Sequence, residues 1–133
     1  MANSVEEAVY NFLKADTTIS AQFDDVYWAE ASDDTYPYIV FWLIDDNGAD
    51  NVLNKRNQGE ARIQFDIWDD ATPSGMARGV RLRGVLADKV KDMNFVTSGY
   101  TLITTGITEQ TIKRESATEP HHFVVDGIIQ WRA

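Results

Sequence analysis

Two segments of this chain repeat one alternating pattern, and they bracket its longest helical stretch. Residues 61–68 read Ala61-Arg62-Ile63-Gln64-Phe65-Asp66-Ile67-Trp68. Residues 122–132 read His122-Phe123-Val124-Val125-Asp126-Gly127-Ile128-Ile129-Gln130-Trp131-Arg132. Large apolar side chains fall on every second position, the period of a strand with one buried and one wet face. Between these segments, Thr72 suits a helix N-cap and Pro73 its first turn. Met76, Val80, Leu86, Ala87, Val90 and Met93 then share one broad helical face. A half-buried strand, an amphipathic helix and a second half-buried strand call for a helix layer against one side of a sheet.

The rest of the chain fills in that plan. Ser4-Val5-Glu6-Glu7 is a capping box. Val5, Ala8, Val9, Phe12 and Leu13 form an apolar stripe at helical spacing behind it. Asp16-Thr17-Thr18 ends that helix, and Ile19–Phe23 can add one further turn. Val26-Tyr27-Trp28 reads as a short strand and 29–35 as a loop. Tyr38–Ile44 is apolar at every position, which fits a strand covered on both faces or one that lends a face to a partner. Asp45-Asp46-Asn47-Gly48 carries a turn signal. Asn51, Asn54, Asn57 and Gln58 surround Lys55-Arg56 in a polar stretch, so 46–59 reads as an arm between two antiparallel strands. Tyr100–Thr104 and Ile107–Lys113 read as two strands broken by Gly106, with a charged loop over 114–120. The expected fold is α+β, a mixed or antiparallel sheet packed by two α-helices, in a single domain spanning 1–133.

Composition narrows the function. The formal charge of −9 favours solubility and opposes general affinity for nucleic acid. It also fits an acidic surface that meets a basic partner, or one past which DNA slides. With no cysteine, disulfides, thiolate catalysis and cysteine zinc sites are excluded. No apolar run reaches the ~18 residues of a membrane span. The acidic start, Met1 to Glu7, lacks the basic region of a secretion signal, so synthesis and use in the cytoplasm are expected.

Residues that could carry chemistry have simpler readings. His121 and His122 are neighbours on a strand and point to opposite faces, so they do not suit one metal. Asp45–Asp50 lacks the acidic residue that closes a calcium loop. Asp69-Asp70 sits where carboxylates favour a helix N-terminus. Walker, GxGxxG, GxSxG and HExxH patterns do not occur. No catalytic, cofactor-binding or metal-binding residue is therefore assigned, and no enzymatic activity is expected. Candidate contact residues are of another kind. Arg78, Arg81 and Lys89 form a basic stripe on the polar side of the second helix, either a solvated face or a docking stripe for an acidic neighbour such as another copy of the chain. Trp68 stands on the wet face of its strand, and Trp42 sits in a run apolar on both sides. Trp131 shares the apolar parity of Phe123 and Ile129. Gly75, Gly79 and Gly84 weaken the second helix, which implies close approach of its backbone to the sheet or to another chain.

The capped first helix, Tyr36-Pro37-Tyr38-Ile39-Val40-Phe41, Gly59–Trp68, the helix Met76–Val90 and the end strand Phe123–Arg132 occur in an order that resembles the tail-terminator (tail-completion) proteins of long-tailed bacteriophages. The strand ending Gln64-Phe65-Asp66-Ile67-Trp68, then an acidic turn and a helix, is its most distinctive part. The glycines of the second helix depart from the Ala/Leu-rich helix expected there. The resemblance implies a virion structural protein that forms a ring, usually of six copies, on the finished tail tube. Such a ring stops tube polymerisation and offers the surface that joins tail to head. Its partners would be its own copies, the tail-tube protein and the head-completion or connector protein, with DNA only in passage and no membrane. It would be assembled in the host cytoplasm and reside at the head-proximal end of the tail. Trp68, Arg78, Arg81, Lys89 and the arm residues Asn51, Asn54, Lys55 and Arg56 are the expected subunit contacts. The alternative is an acidic binding module, an inhibitor that mimics nucleic acid.

Overall fold

The computed structural model describes residues 5–33, 35–50, 56–93, 101–113 and 120–132, with side chains described over 6–33, 35–44, 60–93 and 120–130. The elements run α1 (Val5–Ala15), α2 (Thr17–Gln22), β1 (Asp25–Trp28), β2 (Tyr38–Asp50), β3 (Arg56–Asp69), α3 (Pro73–Lys91), β4 (Thr101–Lys113) and β5 (His121–Arg132). The five strands form one mixed sheet in the order β1-β2-β3-β5-β4, with only β1–β2 parallel. The α+β expectation holds. The further turn after the first helix is a separate short helix, α2, capped by the Asp16 carboxylate, which accepts from the Ile19 amide at 3.0 Å.

Strand parity decides what is buried. Ile39 and Phe41 of β2, Ala61, Ile63, Phe65 and Ile67 of β3, and Phe123, Val125 and Ile129 of β5 all enter one core. Ala8, Val9 and Leu13 of α1 and Ile19 of α2 cover that core beside β1; Leu82, Leu86, Ala87 and Val90 of α3 cover it over β3 and β5. Phe41, Phe65 and Phe123 are fully buried. Each contributes roughly 1.5–3 kcal/mol of transfer free energy.

Several boundaries differ from the sequence expectation. The turn signal at Asp45–Gly48 lies inside β2, where Asp45 to Gly48 pair with Arg62 to Gly59. Ladder hydrogen bonds to β3 outweigh the local turn preference there, and a register shift after Leu43 absorbs the misfit. The arm is thus mostly a hairpin extension, of which 51–55 lie outside the described residues. Gly106 does not break the fourth strand: Thr101–Lys113 is one element, with register shifts at Leu102/Thr104 and Ile107/Glu109. Ser4 of the expected capping box also lies outside the described residues.

Helix α3 starts as its sequence requires. Thr72 is the N-cap, its hydroxyl accepting from the Gly75 amide at 3.0 Å, and Pro73 opens the first turn. Its buried stripe is Gly75, Gly79, Leu82, Leu86 and Val90. That stripe turns Val80, expected inside, out to solvent at 42% exposure. The glycines cause the shift. A Cβ on Gly79 would lie 2.0 Å from the Phe123 ring, and one on Gly75 would lie 2.2 Å from the Asp70 carbonyl. A Cβ on Gly84 would meet nothing within 4 Å.

These environments predict opposite signs for one substitution. Gly84→Ala removes backbone entropy at no steric cost and stabilises the fold by up to ~1 kcal/mol. Gly79→Ala drives a methyl group into a ring held in the core and destabilises by about 1–3 kcal/mol despite the same propensity gain. Denaturant midpoints of the two variants, measured against the parent, test both directions.

Candidate functional site

Alternation leaves a second sheet face that the described helices do not cover. Tyr38, Val40 and Trp42 of β2, Gln64, Asp66 and Trp68 of β3, and His122, Val124 and Asp126 of β5 share it through the pairs Tyr38↔Trp68, Val40↔Asp66, Trp42↔Gln64 and Trp68↔His122. At its centre the buried Asp66 carboxylate accepts from Gln64 Nε2 at 2.9 Å and binds His122 Nε2 at 2.8 Å. The His122 ring lies flat on Trp68, 4.0 Å between centroids and 8° between planes. Tyr38 extends the aromatic row, stacked on Tyr36 at 5.7 Å and edge-on to Tyr27 at 5.8 Å. Toward the arm, Arg62 Nη2 is 3.8 Å from the Asp126 carboxylate. Trp42 and Ile44 remain 43% and 49% exposed. A sheet face with a satisfied polar centre and uncovered large apolar rings is chemically suited to contact, because it offers desolvation without an unpaired buried charge.

A second polar cluster fastens α3 to the sheet. Asp69 is fully buried at the end of β3, and Arg78 closes on it bidentately, with Nε donating at 2.8 Å to one oxygen and Nη2 to the other. The Asp70 amide also donates to Asp69, at 2.8 Å. Hydrogen bonding to Asp69 raises Arg78 above the ordinary guanidinium value, with its partial burial opposing. His121, buried opposite Asp69, meets the Thr72 carbonyl through Nε2 at 2.9 Å. The two histidines therefore serve opposite faces, as strand geometry requires.

The expected contact residues fall in different places. Trp68 is half-buried on the helix-free face. Arg78 is bound to Asp69, and Lys89 Nζ lies 3.3 Å from the Asp16 carboxylate. Arg81 donates to the Gln22 side-chain carbonyl, a neutral partner. Arg56 pairs through its backbone with Asp50, while Asn51, Asn54 and Lys55 lie outside the described residues, as does the Trp131 side chain. Sequence reasoning missed the buried carboxylates Asp66, Asp69 and Asp126. Asp66 and Asp126 each stand at a wet-face position of their strands, so the pattern did place them, but nothing local announced that neighbouring side chains would cover them. Among the described residues no group of three or more His, Asp or Glu side chains could hold a metal ion. A hollow of about 130 Å³ where α1, α2 and β1 meet is lined by Leu13, Ile19, Phe23 and Val26. Lys14 and Asp25, which also line it, bind each other at 2.7 Å. No described helix is long and apolar enough to cross a membrane.

Comparison with solved structures places the fold. A chain from the virion of a native gene transfer agent particle superposes with a TM-score of 0.68 over 98% of this chain and 96% of its own, at 14% identity. Another solved chain matches with a TM-score of 0.56 over 94% of this chain and 89% of its own, at 13% identity. At such identities the likeness is one of fold. No family model and no curated protein matches the sequence.

The two ion pairs on α3 predict different costs. Arg78→Met strands the buried Asp69 carboxylate and destabilises by about 3–5 kcal/mol. Lys89→Met removes a partly exposed pair and costs at most ~1 kcal/mol. Urea unfolding of both variants at neutral pH measures the ratio; equal losses would remove Asp69–Arg78 as the fastening of α3.

Proposed function

We propose that this chain is a structural protein of a phage-like virion, and that its copies form a ring that caps the tail tube. The observation that carries the reading is the whole-chain likeness in fold to a gene transfer agent virion chain, which spans nearly the full length of both. The tail-terminator resemblance of the sequence agrees with it. In this reading the protein makes and breaks no bond. It works by shape: a head-to-tail contact that closes by rotation gives a ring of six copies and not a filament. The ring halts addition of tail-tube protein at one end and presents its other side to the head-completion or connector protein. It sits in the tail, at the head-proximal end, after assembly in the host cytoplasm. A net charge of −9 suits a passage through which DNA slides without sticking. The helix-free sheet face, with Trp68 and Trp42, is the candidate contact surface for copies or for the tube.

Mixing the protein with polymerising tail-tube protein, followed by negative-stain electron microscopy, tests this directly. The expected result is shortened tubes ending in six-fold rings. Tubes that lengthen normally with bare ends would sink the reading, and a tight one-to-one complex with a basic enzyme would favour the acidic inhibitor instead. Two variants locate the contacts. Trp68→Glu is expected to leave a cooperative fold and to lower tube capping about tenfold or more, in line with loss of an aromatic contact. Deleting 48–57 is expected to leave a folded chain that caps poorly. Normal capping by either variant removes that residue or arm from the interface.

A further inference from the structure

The chain is acidic overall but its charge is sorted. Helix α3 carries Arg78, Arg81, Arg83, Lys89 and Lys91 against a single acid, Asp88. Residues 24–34 carry Asp24, Asp25, Glu30, Asp33 and Asp34 with no lysine or arginine. Some of these charges are matched within the protomer: Arg78 by Asp69, Lys89 by Asp16, and Asp25 by Lys14. Others are not. Arg81 holds only the neutral Gln22 carbonyl, and Arg83 has no ion pair among the described residues. Asp24, Glu30 and Asp33 are exposed, and no cation pairs with them among the described residues. Their field is felt locally: the Tyr27 phenol is pushed up, first by partial desolvation and then by Asp25, Asp33 and Asp24.

Each charged surface also carries an uncovered apolar group. On α3, Val80 is 42% exposed and Gly84 presents bare backbone one turn further on. Helical periodicity sets Arg81 and Arg83 on the two sides of that ridge. At the end of β1, Trp28 is 42% exposed, its ring held parallel to Phe41 at 6.4 Å and against Tyr10 at 6.5 Å. β1 is one edge of the sheet, whereas α3 lies over β3, β5 and β4 toward the other. Arg81 reaches Gln22 and Lys89 reaches Asp16, so α3 borders α2 along one flank, while Val80 and Trp28 both stay uncovered within the protomer.

We infer that the outer ridge of α3 docks the β1 end of a second copy of this chain, Trp28 covering Val80 and Gly84 while Asp24 and Glu30 face Arg81 and Arg83. This inference rests on the ring reading and deepens it. Two different surfaces can join head to tail, the kind of contact that propagates around a ring, and the ring reading takes that arrangement over a reciprocal twofold pair. Exposed like charges repel where two copies meet, so a stable joint needs local complementarity. A rigid tryptophan set among charges that become paired has the make-up of an interface anchor.

Charge reversal with mixing tests the joint. One variant carries Arg81→Glu and Arg83→Glu, the other Asp24→Lys and Glu30→Lys; neither touches a residue with an ion pair among the described residues. Assembly on tail tubes is read by electron microscopy, association by sedimentation, and folding by thermal melting. If the first variant melts well below the parent, Arg81→Glu alone replaces it. Each variant by itself is expected to need about tenfold or more protein to form rings. An equimolar mixture is expected to regain them, because reversed faces match in alternation around an even-numbered ring. Variants that assemble as the parent does, or a mixture that stays as unassembled as its components, would overturn this joint while leaving the ring itself in place. A parent protein that forms no ring on tubes sinks the ring reading and this joint with it.

Discussion

The seating of α3 on β5 is the contact on which the rest of the architecture depends. The Phe123 ring occupies the space where any side chain at position 79 would stand, so only glycine allows the helix to come this close. Once seated, α3 places Leu82, Leu86 and Val90 over the apolar parity of β3 and β5. The same approach brings Arg78 onto the buried Asp69 and the Thr72 carbonyl onto His121. A helix held one side chain further out would leave that carboxylate uncompensated, at a cost of about 3–5 kcal/mol, a large share of a small domain's stability. Glycine weakens the isolated helix, but here the weakness is a condition of tight packing.

This seating also explains what could be read from the residues and what could not. The parity of β3 and β5 was plain, since a one-residue slip would turn each apolar set to water. The caps at Thr72 and Pro73 were plain because they are local. The buried stripe of α3 was not. Apolar residues alone nominate Val80, whereas the observed stripe begins with two glycines that leave no apolar signal and admits Leu82 in its place. The extension of β2 through Asp45–Asp50 was hidden for a different reason. Asp, Asn and Gly favour turns, and only pairing with β3 across the sheet overrides them. Gly106 hid the continuity of β4 in the same way, because the partner that sustains the strand is β5, distant in sequence.

The candidate contact surfaces were legible in type but not in detail. Trp68 was visible as a large ring on a wet face. Its stacking on His122, and the Asp66 carboxylate that holds His122, needed the register of β3 against β5. The basic stripe on α3 was visible as a run of cations, yet sequence gives no means of telling which of them the protomer already neutralises. Arg78 and Lys89 are matched by acids from β3 and from the α2 cap, while Arg81 is not.

That distinction matters more than the net charge. At physiological salt, interactions between exposed charges fade over about 8 Å, so two copies approaching each other respond to the faces that meet and little to the total. A chain of charge −9 can thus repel a phosphate backbone along one surface and still close on its own copies through another. What it requires is that cations not consumed inside the protomer collect on one element and acids on a different one. The division of labour on α3 fits this: Arg78 fastens the helix to β3 and Lys89 to the α2 cap, while Arg81 and Arg83 form no ion pair among the described residues. A twofold contact centred on either surface alone would set like charge against like. In the proposed joint these two surfaces face each other, so the cations that α3 does not use within the protomer would meet acids that no described cation pairs with.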